Sequence, residues 1–464
     1  MRKSFGILLA LALAVALALP PAAWSAEDEA PEPAYEGYLV GCSAAPPESG
    51  ARLLFRAAAA LEPVLEGVYW TESESYARYL LESGQADFIE PNYVATLFDL
   101  DAGAGGGGGW PREALCADFA GSLGLDGTGV RVALIDSGVD LNNPDLTQAR
   151  IAAGYDYINQ TTAMTDTDCH GTLVAQLICG DDNGLGVTGI ARGCELVPLR
   201  CFAGSRAGTV AELALAVREA VTRYNCDVIN MSWGLTNNSL TLHRAVADAR
   251  DAGAVLVAAA GNTDAFAQGS VVYPAAYDEV ISVAALNETL AASPYSIQNA
   301  YVTVCAPGDA IGFVDARGTA VSGSGTSFAA PCVSAVAALV KQYAGVSGAD
   351  CLALLCERAA DLGAAGFDRA CGYGLPRLDL VLQQRRCELA EGTLSASLLR
   401  GAGGRVVLAA YDAQGRLSAV RSASAADGYG AASCALPEGT ARCAAFFLDE
   451  AGAPLGEAVR YDAS

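Results

Sequence analysis

The middle of the chain alternates short apolar runs with longer segments that have helical spacing. Short, mostly apolar runs, typical of parallel strands buried on both faces, occur at residues 130–135, 195–200, 228–231, 255–260 and 280–284. Helical spacing of apolar residues occurs at 210–224 and 242–252. Because strands and helices alternate, residues 110–386 are expected to form an α/β domain with helices on both faces of a parallel sheet. Functional groups in such sheets gather at the carboxyl ends of the strands.

The segments on either side follow different patterns. Residues 26–100 are expected to contain a small α/β unit. Its predicted elements are a strand at 37–40, a helix at 73–83 and an extended stretch at 88–98. A Gly-rich run at residues 101–109 predicts a flexible linker that proteases can reach. Strand-like runs separated by turn residues predict a small β-sandwich-like domain over residues 387–464.

The first 25 residues have the pattern of a secretory signal peptide. Arg2 and Lys3 precede an uncharged, mostly apolar run at residues 5–19, and a small-x-small cleavage site lies at 23–25. The run is shorter than the ~20 residues of a membrane-spanning helix, and no later stretch is long and apolar enough to span. We therefore expect a secreted mature chain without a transmembrane anchor.

The composition changes this picture little. Hydrophobic residues make up 52% of the chain and charged residues 17%, as in a globular protein. The formal net charge of −24 argues against nucleic acid as a partner. The 15 cysteines include no Cys-x-x-Cys pair, so a zinc site is not expected. We expect buried thiols and some disulfides, whose pairing the sequence leaves open.

Three short motifs carry side chains suited to nucleophilic catalysis. They are VALIDSGVD at residues 132–140, HGT at 170–172 and GTSFAAP at 325–331. Asp136, His170 and Ser327 in these motifs have the residue types of a Ser-His-Asp triad. Each alone has an ordinary interpretation, as a turn aspartate, a core histidine and a helix-cap serine. The chain has only two histidines, and no motif surrounds the other, His243.

A fourth motif ends one of the predicted strands. Asn262 follows the run AAAG at residues 258–261. Its amide is suited to donate a hydrogen bond to an oxyanion, although a plain Gly-Asn turn has the same sequence. Four motifs in one order are much less expected by chance than any one of them.

With these motifs, residues 110–386 resemble the subtilisin-like serine proteases, or subtilases. The resemblance implies a three-layer sheet, Asp136 as the residue that orients the base, His170 as general base and Ser327 as nucleophile. Asn262 and the backbone N–H of Ser327 are implied as oxyanion donors. The implied substrate-binding residues are Ser232, Trp233, Gly234, Ala260 and Gly261.

Residues 26–100 resemble the inhibitory prodomain of that family, through YLVG at 38–41 and IEPNY at 89–93. Such a prodomain assists folding and then places its carboxyl-terminal tail in the cleft. The resemblance implies self-cleavage near residues 97–109. Leu97, Phe98 and Leu100 are the candidate residues ahead of the cut, so an apolar S1 preference is expected.

The resemblance also implies structural calcium, with no cofactor for the chemistry. Asp145 and Asn183 match the family's calcium loop, and oxygen ligands suit calcium. Gln176 departs from the family, which commonly has glycine in the helix after the histidine.

Together these features predict a secreted, monomeric serine endopeptidase that acts on polypeptides and is made as a zymogen. The carboxyl-terminal domain is expected to serve stability or attachment. Two alternatives stay open. One is a catalytically silent binding or regulatory protein with the same fold, and the other is a processing protease for one exported partner.

Overall fold

The structure is a computed structural model that describes residues 34–42, 62–98, 100–102, 108–204, 207–400, 403–426 and 428–462. The predicted signal peptide and part of the Gly-rich linker lie outside the described residues. Within the described ranges, no single helix has the length and hydropathy of a membrane span. Only the bent pair Thr326–Ala344 and Gly348–Arg358 meets that test, when its two helices are taken together.

The amino-terminal unit is an antiparallel sheet with one helix. Its elements are β1 (Tyr35–Gly41), β2 (Glu62–Leu65), β3 (Val68–Thr71), α1 (Glu74–Glu82) and β4 (Phe88–Leu97), followed by a short strand, β5 (Leu100–Ala102). The strand order is β4-β1-β3-β2. Ser73 starts α1, because its hydroxyl accepts a hydrogen bond from the backbone N–H of Tyr76. Strand β4 is ten residues long and continues past this sheet into the next domain.

A parallel sheet forms the centre of the main domain. The strands of this region are β6 (Arg131–Asp136), β7 (Arg150–Ile151), β8 (Tyr155–Asp156), β9 (Glu195–Arg200), β10 (Ala207–Thr209), β11 (Val228–Met231), β12 (Trp233–Gly234), β13 (Val255–Ala259), β14 (Val280–Leu286), β15 (Val304–Pro307), β16 (Ile311–Val314) and β17 (Ala320–Ser324). Strands β15, β14, β13, β11, β6, β9 and β7 lie side by side in that order, and β8 also pairs with β9. All these pairs are parallel.

Helices cover both faces of this sheet. They are α2 (Trp110–Ala114), α3 (Ala117–Ser122), α4 (His170–Cys179), α5 (Val210–Thr222), α6 (Leu240–Asp251), α7 (Thr326–Ala344), α8 (Gly348–Arg358) and α9 (Leu378–Val381). Alternate residues of β6 enter different cores: Val132 and Leu134 pack with α4 and α7, whereas Ala133 and Ile135 pack with α5 and α6. The predicted three-layer α/β architecture is therefore confirmed.

The carboxyl-terminal residues form two antiparallel sheets. Their strands are β18 (Arg385–Ala390), β19 (Thr393–Leu399), β20 (Arg405–Asp412), β21 (Leu417–Ser424), β22 (Tyr429–Ala435), β23 (Thr440–Leu448) and β24 (Val459–Asp462). One sheet has the order β18-β19-β22 and the other β21-β20-β23-β24. Leu394, Leu408 and Phe447 belong to the core that these strands share. The predicted β-rich domain is thus confirmed.

The 15 cysteines all lie within the described residues, and none of them is in a disulfide. Most are buried, and the exposed one, Cys169, directly precedes His170. Burial raises the pKa of the Cys332 thiol, which lies inside α7, well above its usual range.

Candidate active site

The structure brings Asp136 and His170 together at the carboxyl edge of the parallel sheet. Asp136 ends β6 and His170 begins α4. Asp136 Oδ1 lies 2.7 Å from His170 Nδ1, and neither side chain is exposed. This contact places the imidazole proton on Nδ1, which leaves Nε2 as the basic nitrogen. His170 Nε2 is buried and has no hydrogen-bond partner among the described residues.

Ser327 lies in the first turn of α7, beside the same edge. Its hydroxyl donates to the carbonyl oxygen of Ser232 at 2.8 Å and accepts from the N–H of Phe98 at 3.1 Å. Within the described part of the chain, no hydrogen bond joins Ser327 Oγ to His170 Nε2. The His170 ring packs against Phe328, the residue after Ser327, with ring centroids 5.7 Å apart. The serine hydroxyl is therefore hydrogen-bonded to Ser232 and Phe98 rather than to His170.

Asn262 is oriented by Thr326, the residue before Ser327. Asn262 Oδ1 accepts from the Thr326 N–H at 3.0 Å and from Thr326 Oγ1 at 2.8 Å. Asn262 Nδ2 is consequently turned away from Thr326. It is buried and without a hydrogen-bond partner in the described ranges. Thr326 was not among the predicted site residues, since only the folded chain reveals its contact with Asn262.

The end of β4 occupies the cleft between two segments of the main domain. Leu97 and Thr96 pair with Trp233 and Gly234 of β12 on one side. Thr96, Ala95 and Val94 pair with residues 207–209 of β10 on the other side. Both pairs are antiparallel, so β4 is the middle strand of a three-stranded ladder that leads to Ser327.

Phe98, the residue after β4, fills an apolar pocket next to Ser327. Its side chain is fully buried, and its ring meets that of Phe266 edge-on, with centroids 5.5 Å apart. Phe98 also belongs to the core cluster that contains Val272 and Ile297. Gly234 leaves room for this ring, because a Cβ there would lie 2.9 Å from Phe98 Cζ.

The other predicted cleft residues line the same region. A Cβ on Gly261 would lie 3.0 Å from Ile297 Cδ1, so Gly261 keeps the floor of the pocket open. Ala260 is buried, and its N–H donates to the Val283 carbonyl at 3.0 Å. Trp233 contacts β4 through its backbone, whereas its indole is buried beside Phe202, with ring centroids 6.1 Å apart.

Beyond the cleft, the amino-terminal segment forms a second strand, β5, which lies beside the residues that precede Ser327. Leu100 pairs with Ser324, Asp101 with Gly323 and Ala102 with Ser322, in the antiparallel pair of β5 and β17. Strand β17 forms a hairpin with β16. Strands thus flank this part of the chain, because β4 ends at Leu97 and β5 begins at Leu100.

Two charged residues that the motifs did not single out, the half-buried Asp166 and the buried Arg200, hold the triad segments. Asp166 accepts from Ser137 Oγ and from the Thr172 N–H, both at 2.9 Å. Burial raises the pKa of Asp166 above its usual range. Arg200 Nε donates to the Ser137 carbonyl at 3.0 Å. These bonds tie the residue after Asp136 to the first turn of α4. An aspartate in a loop and an arginine at the end of a strand carry no sequence signal for this role.

The predicted calcium residues lie in one loop region. Both carboxylate oxygens of Asp145 are buried and lack a hydrogen-bond partner among the described residues. Burial raises the pKa of Asp145 to about 7. The side chain of Asn183 donates to the Pro144 carbonyl at 3.1 Å and accepts from the Leu185 N–H at 2.8 Å. In the described ranges, no group of three or more His, Cys, Asp or Glu side chains is placed to bind a metal ion.

Gln176, which departs from the family pattern, is hydrogen-bonded to the β16–β17 hairpin. Its side chain donates to the Val314 carbonyl at 2.8 Å and accepts from the Val314 N–H at 3.1 Å. The amide therefore pairs with β16 as a strand residue would. This contact ties the helix that begins at His170 to the hairpin beside the cleft.

Comparisons with known proteins agree with this geometry. Residues 127–374 match the model of the subtilase family. The minor extracellular protease Epr of Bacillus subtilis is 34% identical over 268 residues, which are 57% of this chain and 40% of that protein. The thermostable alkaline protease of Halalkalibacterium halodurans is 38% identical over 232 residues, 50% of this chain and 62% of that protein. This chain therefore spans less than two thirds of the length of these two relatives.

Two further similarities concern a shorter relative and a solved structure. Subtilisin DY of Bacillus licheniformis is 34% identical over 269 residues, 58% of this chain and 96% of that protein. Among solved structures, fervidolysin from Fervidobacterium pennivorans, a keratinolytic enzyme related to subtilisin, superposes with a TM-score of 0.66. It is 22% identical, and the match covers 93% of this chain and 76% of that chain. At this level of sequence identity, the structural similarity supports a shared fold of the two chains and nothing further.

Proposed function

The chain belongs to the subtilase family, as its motifs predict, and from this premise we propose that it is a serine endopeptidase. One observation carries the proposal. His170 Nε2 and Asn262 Nδ2 are both buried and without a partner among the described residues, and their side chains contact the two sequence neighbours of Ser327. A basic nitrogen and an amide donor are the two groups that acyl transfer to a serine requires.

In the proposed reaction, Ser327 Oγ attacks the carbonyl carbon of the peptide bond while His170 Nε2 takes its proton. Asp136 stabilises the resulting imidazolium through Nδ1. Asn262 Nδ2 and the Ser327 N–H donate to the oxyanion. The imidazolium then protonates the leaving amine, and water hydrolyses the acyl-enzyme to release the second product.

The chain is further proposed to be a zymogen whose own prodomain inhibits it. In support, the uncut chain lies across the cleft, with Phe98 buried beside Ser327 and strands on either side of it. The bond proposed for self-cleavage is Phe98–Asp99. The pocket around Phe98 implies a preference for large apolar residues before the cut, on peptides and on polypeptide substrates alike.

Export is proposed from the signal-peptide pattern at residues 1–25, and it agrees with the similarity to the minor extracellular protease Epr. We propose that the mature enzyme acts as a monomer outside the cell. A host with a general secretion pathway should release a chain that lacks residues 1–25 into the medium.

A structural calcium ion is the last part of the proposal. Asp145 and Asn183 would hold it, and its charge would offset a buried carboxylate that otherwise has no donor in the described ranges. The residues present fit such an ion in this respect. The ion would stabilise the fold and take no part in peptide hydrolysis.

The test of this function compares the chain from residue 27 with its Ser327→Ala variant, by intact mass over time and by a serine-directed fluorophosphonate probe. We expect the wild type to lose residues up to Phe98 and to take the probe at Ser327, and the variant to do neither. A wild type that is neither cut nor labelled would instead support a catalytically silent binding protein. Labelling without casein cleavage would support a processing protease for one exported partner.

A further inference from the structure

A chain of buried hydrogen bonds leads from the middle of α7 to the backbone of Ser327. Ser334 Oγ donates to Asn230 Oδ1 at 2.8 Å, and Asn230 Nδ2 donates to Ser232 Oγ at 2.9 Å. Ser232 Oγ then donates to the Ser327 carbonyl at 2.8 Å. All four residues are fully buried. Because every bond points in the same direction, each polarises the next and strengthens it.

Pro331 explains why the last bond in this chain is needed. Ser327 lies in the first turn of α7, where its carbonyl would accept from the N–H four residues later. That residue is Pro331, which has no N–H. A buried carbonyl without a donor is destabilising, so the Ser232 hydroxyl supplies the missing hydrogen bond.

Ser232 contacts the nucleophile at a second point. Ser327 Oγ donates to the Ser232 carbonyl, so the two serines exchange hydrogen bonds in both directions. The position of Ser232 therefore influences where both the hydroxyl and the backbone of Ser327 lie. The oxyanion donors must be held within a few tenths of an ångström of their productive geometry to stabilise the developing charge.

We propose that Asn230 and Ser334 are positioning residues for Ser327. They direct the Ser232 hydroxyl onto the Ser327 carbonyl, and they thereby hold the Ser327 N–H in register with Asn262 Nδ2. Their side-chain hydrogen bonds go to each other and to Ser232 rather than to the strand that occupies the cleft. The inference rests on the proposed role of Ser327 as the nucleophile.

The loss of the Ser334 hydroxyl should reverse the direction of the hydrogen bond between Asn230 and Ser232. Without Ser334 Oγ, the Asn230 amide loses the donor that fixes which end faces Ser232. The amide then turns over and presents its oxygen to Ser232 Oγ, which donates to Asn230 and leaves the Ser327 carbonyl. Ser334→Ala deletes one atom in a helix that is already rich in alanine, so the variant is expected to fold.

The experiment compares Ser334→Ala with Ser397→Ala in the full chain. Ser397 is also fully buried, and it lies in β19 of the carboxyl-terminal domain, where its hydroxyl donates to Glu357 Oε1 of α8 at 2.6 Å. Active sites are counted with the fluorophosphonate probe, and kcat and KM are measured on a peptide anilide with Phe before the cut. Ser334→Ala should lower kcat per titrated site about threefold to tenfold, with KM within about twofold. The rate of probe labelling should fall by a similar factor, while Ser397→Ala keeps both values.

Two results would overturn the inference alone. In the first, the wild type is labelled at Ser327 and Ser334→Ala has the wild-type kcat and labelling rate. In the second, Ser397→Ala lowers kcat as much as Ser334→Ala does, which would assign the effect to general loss of stability. A wild type that takes no label at Ser327 would overturn the proposed function and this inference with it.

Discussion

Glu90 accepts a hydrogen bond from the backbone N–H of Leu240 at 2.8 Å, across the boundary between the amino-terminal unit and the main domain. Its other carboxylate oxygen accepts from the Thr241 N–H at 3.0 Å. Leu240 begins α6, so this carboxylate satisfies free N–H groups at the positive end of a helix. Asn92 similarly accepts from the Ala211 N–H, in the first turn of α5, at 2.9 Å. The amino-terminal unit is therefore held by two helix ends as well as by the cleft.

We expect Glu90→Gln to weaken this hold, because it keeps the shape of the side chain and removes its charge. A charge at a helix end contributes about 0.3–1 kcal/mol, and up to about 2 kcal/mol where it is partly buried. The lag between self-cleavage, followed by mass, and the appearance of peptidase activity should shorten severalfold. Glu82→Gln, on the exposed side of α1, makes the same charge change and should keep the wild-type lag. Equal lags in all three proteins would contradict the role of Glu90.

The pocket around Phe98 predicts which residues are accepted before the cut. Phe98→Lys would place an ammonium among Phe266, Val272 and Ile297, where the described residues offer an apolar surface. We expect self-cleavage at this bond to slow by about 100-fold or more, since an unpaired charge in an apolar pocket costs several kcal/mol. Phe98→Tyr should still be cut after residue 98. Intact masses and amino-terminal sequencing over time measure both rates, and rapid cleavage of the Phe98→Lys variant at the same bond would refute an apolar S1 pocket.

The elements that the sequence predicted well are those whose burial is complete. The runs at 195–200 and 228–231 coincide with β9 and β11, because a parallel strand covered on both faces is mostly apolar. The short strand β10 escaped prediction, and β12 is expected only from the resemblance, which implies that residues 232–234 pair with the substrate as a strand. Each forms only against β4, which lies more than a hundred positions earlier in the chain, so local propensity does not specify it.

The candidate site likewise contains residues that the sequence predicts and residues that it does not. Asp136, His170, Ser327 and Asn262 stand in recognisable motifs, so the sequence alone nominates them. Their supports are short polar residues that fill ordinary turn and helix positions. Thr326 and Asp166 act only through contacts made in three dimensions, so no local pattern distinguishes them.

Asn262→Ala should remove the amide donor while the rest of the site stays in place. Loss of one oxyanion donor typically lowers kcat by about 10²–10³-fold, or about 3–4 kcal/mol of transition-state stabilisation. KM should change little, because the donor acts chiefly on charge that develops in the transition state. Kinetics on a peptide anilide, normalised to the folded protein, check this expectation. A loss confined to KM would place Asn262 in substrate binding instead.

Removal of calcium should lower the thermal stability of the wild type. A chelator would remove the charge that compensates the buried Asp145 carboxylate, which has lost its hydration in the fold. It would also remove the stabilisation that a bound ion gives to the folded state by mass action. We expect the melting temperature to fall by several degrees and to recover when calcium, but not an equal concentration of sodium chloride, is added. Asp145→Asn should lose this response. If the chelator left the melting temperature of the wild type unchanged, a structural calcium ion would be excluded.

The carboxyl-terminal domain is anchored through Arg358, a fully buried residue at the end of α8. Its guanidinium donates to the carbonyls of Val381 and Gln383 and to Ser397 Oγ. The ring of Tyr429 lies 5.9 Å from its central carbon. Burial lowers the pKa of Arg358, but the group stays charged because arginine titrates far above neutral pH. One cation thus joins the main domain, the connecting segment and the β-sandwich.

Arg358→Met keeps much of the side-chain length and removes these hydrogen bonds. Loss of hydrogen bonds from a charged donor costs about 1.5–3 kcal/mol, so the melting temperature should fall by several degrees. Arg421→Met, on the exposed strand β21, makes the same charge change and should leave it unchanged. Leu399 and Tyr429 also belong to the core of the main domain, so a chain truncated after residue 386 should be less stable still. A truncated enzyme with the wild-type melting temperature would instead make the carboxyl-terminal domain an independent attachment module.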